Sequence, residues 1–325
     1  MELTFERVVR RFSTAHATAH GMLAARETIE VMLVDVDGAF GRGEAAPLAS
    51  FDGVSVERAL EALRAHGAAL ASVDATGARD ACRAADPLPQ ALAAIDVALW
   101  DLAGRRAARP IAALLTPAPA AAVEVNASVA GAAADDAASA AAAAVAAGYR
   151  TVKLKVGTGD DLARIRAVRA AIGPDVALRL DANGAWTVAE AERVLRGAGP
   201  LEFVEEPVRG AGELAALRAR VEARIAVDES EGAGADAVSL KLSRSGGITG
   251  LLADAARARA AGMEVYVTST YEGPIGVAAA VHAAAALAPL PACGLATLEL
   301  FDGASPLPVR RGRIEVPRGP GLGIY

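Results

Sequence analysis

Cysteine is almost absent: Cys82 and Cys293 are the only two in 325 residues. Two thiols cannot build a disulfide framework or a cysteine-based metal site, and their scarcity fits a reducing cytoplasm. A basic excess is missing as well. Acidic residues number 39 against 33 basic ones, for a net charge of −6, so nucleic acid is not an expected partner. An anionic ligand would need a locally positive site. Long apolar runs are also lacking. The alanine-rich stretch from Ala132 to Gly148 opens on Asp135 and Asp136 and ends after about four helical turns, short of the roughly 20 residues of a membrane span. The N-terminal stretch MELTFERVVRRFSTAHATAHGMLAARE holds no apolar core of signal-peptide length. The expectation is a soluble, cytoplasmic protein with no membrane or nucleic-acid partner.

What is present is enough apolar material for a large core, 53% hydrophobic against 22% charged residues. At this length the chain should form about two domains or one large barrel. The first part reads as α+β. Strand-like LTFERVVRRF and TIEVMLVDVDG precede a loop, GRGEAAPLASFDG, punctuated by Gly and Pro. Helical spacing follows from Ser55 to Leu70, and again where Leu92, Ile95, Leu99 and Leu102 share one face.

From Val123 onward short apolar strands alternate with helices. The strands fall at Val123–Val129, Thr151–Val156, Ala177–Asp181, Phe203–Glu206, Ile225–Asp228, Val238–Leu242, Glu264–Thr268 and Leu295–Leu300. Eight strands in βα order predict a parallel barrel. An open doubly wound sheet would show similar alternation, but no Gly-rich phosphate loop follows the first strand. Between Asp228 and Lys241 only ESEGAGADAVSL intervenes, which leaves room for a turn but not a full helix. The fold expected is α/β: a capping domain over residues 1–120, a barrel over 121–301, and a tail, 302–325, returning to the cap.

Polar residues gather where these strands end. Lys153 and Lys155 lie one residue apart in TVKLKVG, so both should point to one face of their strand. Asp181, Glu205, Asp228 and Lys241 stand at or near the ends of later strands. In a barrel those ends form a single mouth. Three carboxylates there would repel unless a cation sits among them. Oxygen donors without Cys or nearby His favour a hard divalent ion, Mg²⁺ most simply, with Mn²⁺ able to replace it. Asp181, Glu205 and Asp228 are assigned as its ligands. Strand alternation prevents Glu205 and its neighbour Glu206 from both facing inward. Lys155 and Lys241 would flank the cation. A lysine desolvated beside other cations can serve as a base, with Lys153 as the cationic neighbour. Asn183 is either a second group near the metal or a turn residue, and Glu206 and Glu229 should hold neighbours in place. His20, Phe51, Ser269 and Thr270 are candidate substrate contacts. Trp186 reads as packing, and His66 and His282 as structural or surface residues on helices.

The ordered set KLKVG, LDANGAW, VEEP, VDES and LKLSRSGGI, behind GRGEAAP and AAIDVALWDLAG, resembles the enolase superfamily, muconate-lactonizing subgroup, over nearly the whole chain. The resemblance implies a modified (β/α)7β barrel under an α+β cap, with loops near Ser13–Met22 and Pro47–Gly53 closing over substrate. It implies a Lys base and Mg²⁺ acting on a small-molecule carboxylate; a homo-oligomer is compatible with it. Within the subgroup, LPACGLATLELF and VTSTYEGPIGVAAAVHAAAAL look most like o-succinylbenzoate synthases, which dehydrate a cyclohexadiene carboxylate in menaquinone synthesis. Dipeptide epimerases share the two lysines but resemble a DxDxPL pattern, where two Asp bind the substrate ammonium. The stretch DGASPL offers Asp302 but Ala304 in the second place. N-succinylamino acid racemase and muconate cycloisomerase chemistry use the same site, and a non-catalytic acid-binding barrel is the alternative outside enzymes.

Overall fold

The computed structural model describes residues 1–18, 21–131, 133–228 and 234–325. Strands β1 (Glu2–Thr18), β2 (Gly21–Val34) and β3 (Phe40–Ala45) form an antiparallel sheet in that order. Alternation in β2 buries Ile29, Val31 and Leu33 and leaves Met32 outside, the pattern of a sheet with one covered face. The cover is helical: α1 (Ala49–Asp52), α2 (Val56–Leu70), α3 (Ala78–Ala85), α4 (Pro89–Arg106) and α5 (Ile111–Leu115). Ser55 caps α2 by accepting from Arg58 N at 3.1 Å, and Pro89 opens α4, where its missing N–H costs nothing.

Two expectations are corrected in this domain. The loop expected over Gly41–Gly53 contains strand β3, and of the loop expected near Ser13–Met22 the described residues, 13–18 and 21–22, belong to β1 and β2. Gly41 and Gly43 read as punctuation in the sequence, yet they allow β3 to lie directly on α4. A Cβ at either position would run into the backbone carbonyl of Ala98 or Ala94. Gly43→Ala should therefore cost about 3 kcal/mol through overpacking. Calorimetry reads this as a lowered unfolding temperature, and an unchanged one would mean that α4 can move away freely.

The second part continues as β4 (Ala122–Glu124), β5 (Ala127–Val129), α6 (Ala134–Ala146), β6 (Thr151–Lys155), α7 (Asp161–Ile172), β7 (Ala177–Asp181), α8 (Val188–Gly197) and β8 (Phe203–Glu205). Then come α9 (Ala211–Arg218), β9 (Ile225–Val227), β10 (Ala237–Lys241), α10 (Ile248–Ala260), β11 (Glu264–Thr268) and α11 (Pro274–Leu287). Strands β5 to β11 form one seven-stranded parallel sheet in chain order. Among the described residues no helix separates β9 from β10.

The eighth strand is not at Leu295–Leu300, which holds a 3-10 turn at Leu298–Leu300. Closure falls to Cys293, which bridges Val125, and Gly294, which bridges Thr268, both parallel. Asn126 N donates to Cys293 O and Ser269 N to Gly294 O, each at 3.0 Å. A side chain at 294 would press on Thr268, 2.9 Å from its Cγ2, so the ring closes where glycine permits close approach. The single strand expected over Val123–Val129 is also split. Val125 N bonds Gly312 O while Asn126 N bonds Cys293 O, so the chain changes partners there. β4 pairs with β13 (Arg313–Glu315), which forms a hairpin with β12 (Val309–Arg310). The tail then passes α4 and α5, where Ile111 N donates to Gly321 O at 3.0 Å and Leu322 N to Asp101 Oδ1 at 2.8 Å.

Buried charges join the cap to the barrel. Glu44 of β3 accepts from Gly273 N at 2.6 Å and Gly276 N at 2.9 Å, placing an anion at the N-terminus of α11, where the helix dipole favours it. Arg26 donates to the carbonyls of Ala46 at 2.8 Å and Pro47 at 2.6 Å, and to Thr270 O at 3.3 Å. It thus ties the segment before α1 to the rim of the barrel. Among the described residues no helix is long and apolar enough to cross a membrane.

Candidate active site

Strand register builds the site. In β6, Val152 and Leu154 are fully buried in the apolar cluster that includes Ile165 and Val168 of α7, which turns Lys153 and Lys155 into the barrel. Lys155 pairs across the sheet with Asp181, and Asp181 with Glu205. One step deeper, Lys153, Arg179 and Phe203 form the corresponding row. Lys241 ends β10, opposite β6 in the ring, with β7, β8 and β9 between them.

Lysines and carboxylates interlock across this mouth. Lys153 Nζ lies 2.9 Å from Asp181 Oδ2 and 3.2 Å from Glu205 Oε1. Lys155 Nζ lies 2.6 Å from the same Asp181 oxygen and 2.8 Å from Asn183 Oδ1. From the other side Lys241 pairs with Asp228 Oδ1. Burial by itself would lower the pKa of Lys153, but Asp181 and Glu205 outweigh it and hold the ammonium above the usual lysine range. Burial would likewise raise Asp181, yet Lys153 and Lys155 keep that carboxyl well below its ordinary value. For Glu205 burial prevails and pushes the carboxyl up against the pull of Lys153.

Above these groups is a cavity of about 300 Å³. Its cover comes from the capping domain, with Leu48, Ser50 and Phe51 on the wall. The Phe51 ring centre lies 5.0 Å from Lys241 Nζ and 5.8 Å from the Arg244 guanidinium, within cation–π range. Phe51 thus meets the second lysine. Ser269 and Thr270 also line the cavity, but both hydroxyls are engaged by the buried Glu272, Thr270 Oγ1 at 2.7 Å. His20 and Glu229 lie outside the described residues.

Asn183 combines the two roles left open for it. It adopts left-handed φ +46°, as a turn residue does, and accepts from Lys155. Glu206 is left-handed too, at φ +43°, which swings its carboxylate away from Glu205 to accept Asp228 N at 2.9 Å. Non-glycine residues in this region carry strain of roughly 1–3 kcal/mol that concentrates at functional sites. Arg244 bonds Asp228 O at 2.6 Å. Trp186 is buried, its Nε1 donating to Asp161 Oδ2 at 2.8 Å, and His66 and His282 are buried against backbone partners.

Several residues went unread in the sequence, Glu272 and Glu299 at the cavity and two inside the barrel, Tyr266 and Arg179. Tyr266 donates to Glu205 Oε2 at 2.8 Å, and Arg179 is fully buried inside the barrel. Alternation would have revealed both, since Tyr266 shares a strand face with Thr268 and Arg179 with Asp181.

Among the described residues no three His, Cys, Asp or Glu side chains form a ready-made ligand cluster; each of the three carboxylates is drawn to a lysine. The donor chemistry nevertheless fits a hard divalent cation. Asp181, Glu205 and Asp228 offer only anionic oxygen, with side chains 1%, 1% and 7% exposed.

Comparison with known proteins agrees with the fold. Residues 135–325 match the enolase C-terminal domain-like family, and residues 4–116 the N-terminal domain of mandelate racemase/muconate lactonizing enzymes. Barrel, cap and paired lysines define an enzyme of the enolase superfamily. Within it, the chain belongs to the mandelate racemase/muconate lactonizing enzyme family. It is 41% identical to an o-succinylbenzoate synthase of Thermobifida fusca over 175 residues, 48% of this chain and 54% of that protein. The match thus spans about half the length of that relative. It is 30% identical to a hydrophobic dipeptide epimerase of Enterococcus faecalis over 82% of both chains. The crystal structure of a dipeptide epimerase from E. faecalis with Mg and L-Leu-L-Tyr superposes with a TM-score of 0.91 at 27% identity, covering 99% of this chain and 98% of that one.

Proposed function

We propose that the protein is an o-succinylbenzoate synthase, which dehydrates a succinyl-hydroxycyclohexadiene carboxylate in menaquinone biosynthesis. The observation that carries the chemistry is the placement of Lys155 and Lys241 on opposite sides of one cavity, beside the carboxylates of Asp181, Glu205 and Asp228. Lys155 removes the proton α to the substrate carboxylate. The electrons left behind form the new C=C bond as the neighbouring C–O bond breaks, and the hydroxide leaves as water with the proton that Lys155 returns. Lys241 faces the ring from the other side as a cation. Asp181, Glu205 and Asp228 would hold Mg²⁺, which supplies charge stabilisation at the substrate carboxylate as its α-proton leaves.

The substrate assignment is supported by the match to o-succinylbenzoate synthases over 175 residues. It is also supported by the place of Asp302, which is exposed and not on the cavity wall. With Ala304 in the second place of DGASPL, one of the two Asp that would bind an ammonium is missing, which disfavours a cationic substrate. A second reading, dipeptide epimerase or acylamino acid racemase, is favoured by the longer match to the epimerase and by Glu299 on the wall, where it could meet a substrate ammonium. The deciding assay runs the purified protein with Mg²⁺ on the cyclohexadiene precursor, on L-Ala-L-Glu and on N-succinyl amino acids in D₂O. Rapid dehydration is expected. Silence on the precursor, with deuterium entering a dipeptide or acyl amino acid, would transfer the assignment to the second reading.

A further inference from the structure

Tyr266 lies under the candidate metal site, 1% exposed, with its hydroxyl 2.8 Å from Glu205 Oε2. Its ring has little freedom. It stacks on Phe203 with centres 5.1 Å apart and 27° between planes. The Arg179 guanidinium covers both rings, 4.3 Å from Phe203 and 5.2 Å from Tyr266. Arg179 is fixed in turn by Glu202 at 2.7 Å and by Ala292 O at 2.6 Å.

The ammonium of Lys153, which also donates to Glu205, is of a different kind. Lys153 divides itself among Glu205 Oε1 at 3.2 Å, Glu205 Oε2 at 3.4 Å and Asp181 Oδ2 at 2.9 Å, and its charge would be repelled by an arriving divalent cation. The tyrosine hydroxyl carries no charge and sits on a rigid ring, so it can stay on its oxygen whether or not a cation is present. A carboxylate has a soft terminal torsion, and one fixed hydrogen bond removes that freedom. We propose that Tyr266 is a positioning residue for the divalent cation: it retains Glu205 Oε2 and presents Oε1 to the ion. The proposal rests on the reading of Asp181, Glu205 and Asp228 as ligands.

The test is calorimetric titration of Mg²⁺ into metal-stripped wild type and Tyr266→Phe, which deletes one buried oxygen, with the metal-free unfolding temperature measured for both. Wild type should bind, and the variant should bind about 10–100-fold more weakly, the usual effect of losing an outer hydrogen bond to a ligand. Turnover should recover when Mg²⁺ is raised to saturation, a split that a general loss of structure would not produce. Equal affinities would overturn the proposal. Wild type that binds no Mg²⁺ would overturn the ligand reading beneath it instead. If the variant also unfolds earlier, a double-mutant cycle with Glu205→Gln decides. Acting through Glu205, Tyr266→Phe should add nothing to the loss already caused by Glu205→Gln, and additive losses would show that it acts elsewhere.

Discussion

Lys155→Ala should lower turnover by at least about 10³-fold, toward the upper range for a general base, and should stop exchange of the substrate α-proton with solvent. Mg²⁺ binding should persist. The reason lies in how the charges are shared. Lys153 and Lys155 both contact Asp181 Oδ2, at 2.9 and 2.6 Å, so removing Lys155 still leaves that buried carboxylate paired. Lys153 is the more enclosed of the two, its side chain 12% exposed against 31% for Lys155. It is also held as a firm cation by Asp181 and Glu205. Both line the cavity, and Lys155 is the more open to it. The measurement is deuterium incorporation followed by NMR beside a calorimetric Mg²⁺ titration. Retained exchange would sink the base assignment, and lost Mg²⁺ binding would show that Lys155 serves the carboxylates.

The barrel strands could be read because each contributes an alternating pattern with a buried outer face, as Val152 and Leu154 do around Lys153. The site was legible for the same reason: parallel strands place their carboxyl ends together, so Asp181, Glu205 and Asp228 needed only strand assignments to be grouped. What escaped notice depended on contacts between distant segments. β3 was hidden because Gly41 and Gly43 are there for the approach of α4, and nothing local distinguishes that use of glycine from a turn. The eighth strand was misplaced because Cys293 and Gly294 close the ring with only two residues, too few for any period. Tyr266 was passed over because EVYVT was read as apolar core, without following alternation to the inward face that Tyr266 shares with Thr268, where its hydroxyl meets Glu205.

Lys241→Arg separates the two readings of function more sharply than any truncation. Lys241→Ala should reduce turnover by about 10²–10³-fold under either reading, because both require a group opposite Lys155. Arginine preserves the charge but gives up its proton far less readily than lysine. In the dehydration, proton and hydroxide leave on the Lys155 side, so Lys241 need only be a cation, already seated against Phe51 at 5.0 Å. Lys241→Arg should then keep activity within about 10–30-fold of wild type, the residual cost reflecting a bulkier head in a site shaped for an ammonium. In an epimerase or racemase, Lys241 must deliver a proton to the face opposite Lys155. The same substitution should then abolish inversion, by about 10³-fold or more, while Lys155 continues to exchange the α-proton of the one stereoisomer that faces it. Comparing product formation with α-deuterium uptake in this variant therefore tests the role of Lys241 directly: substantial dehydration supports a cation, whereas exchange without inversion identifies a proton donor.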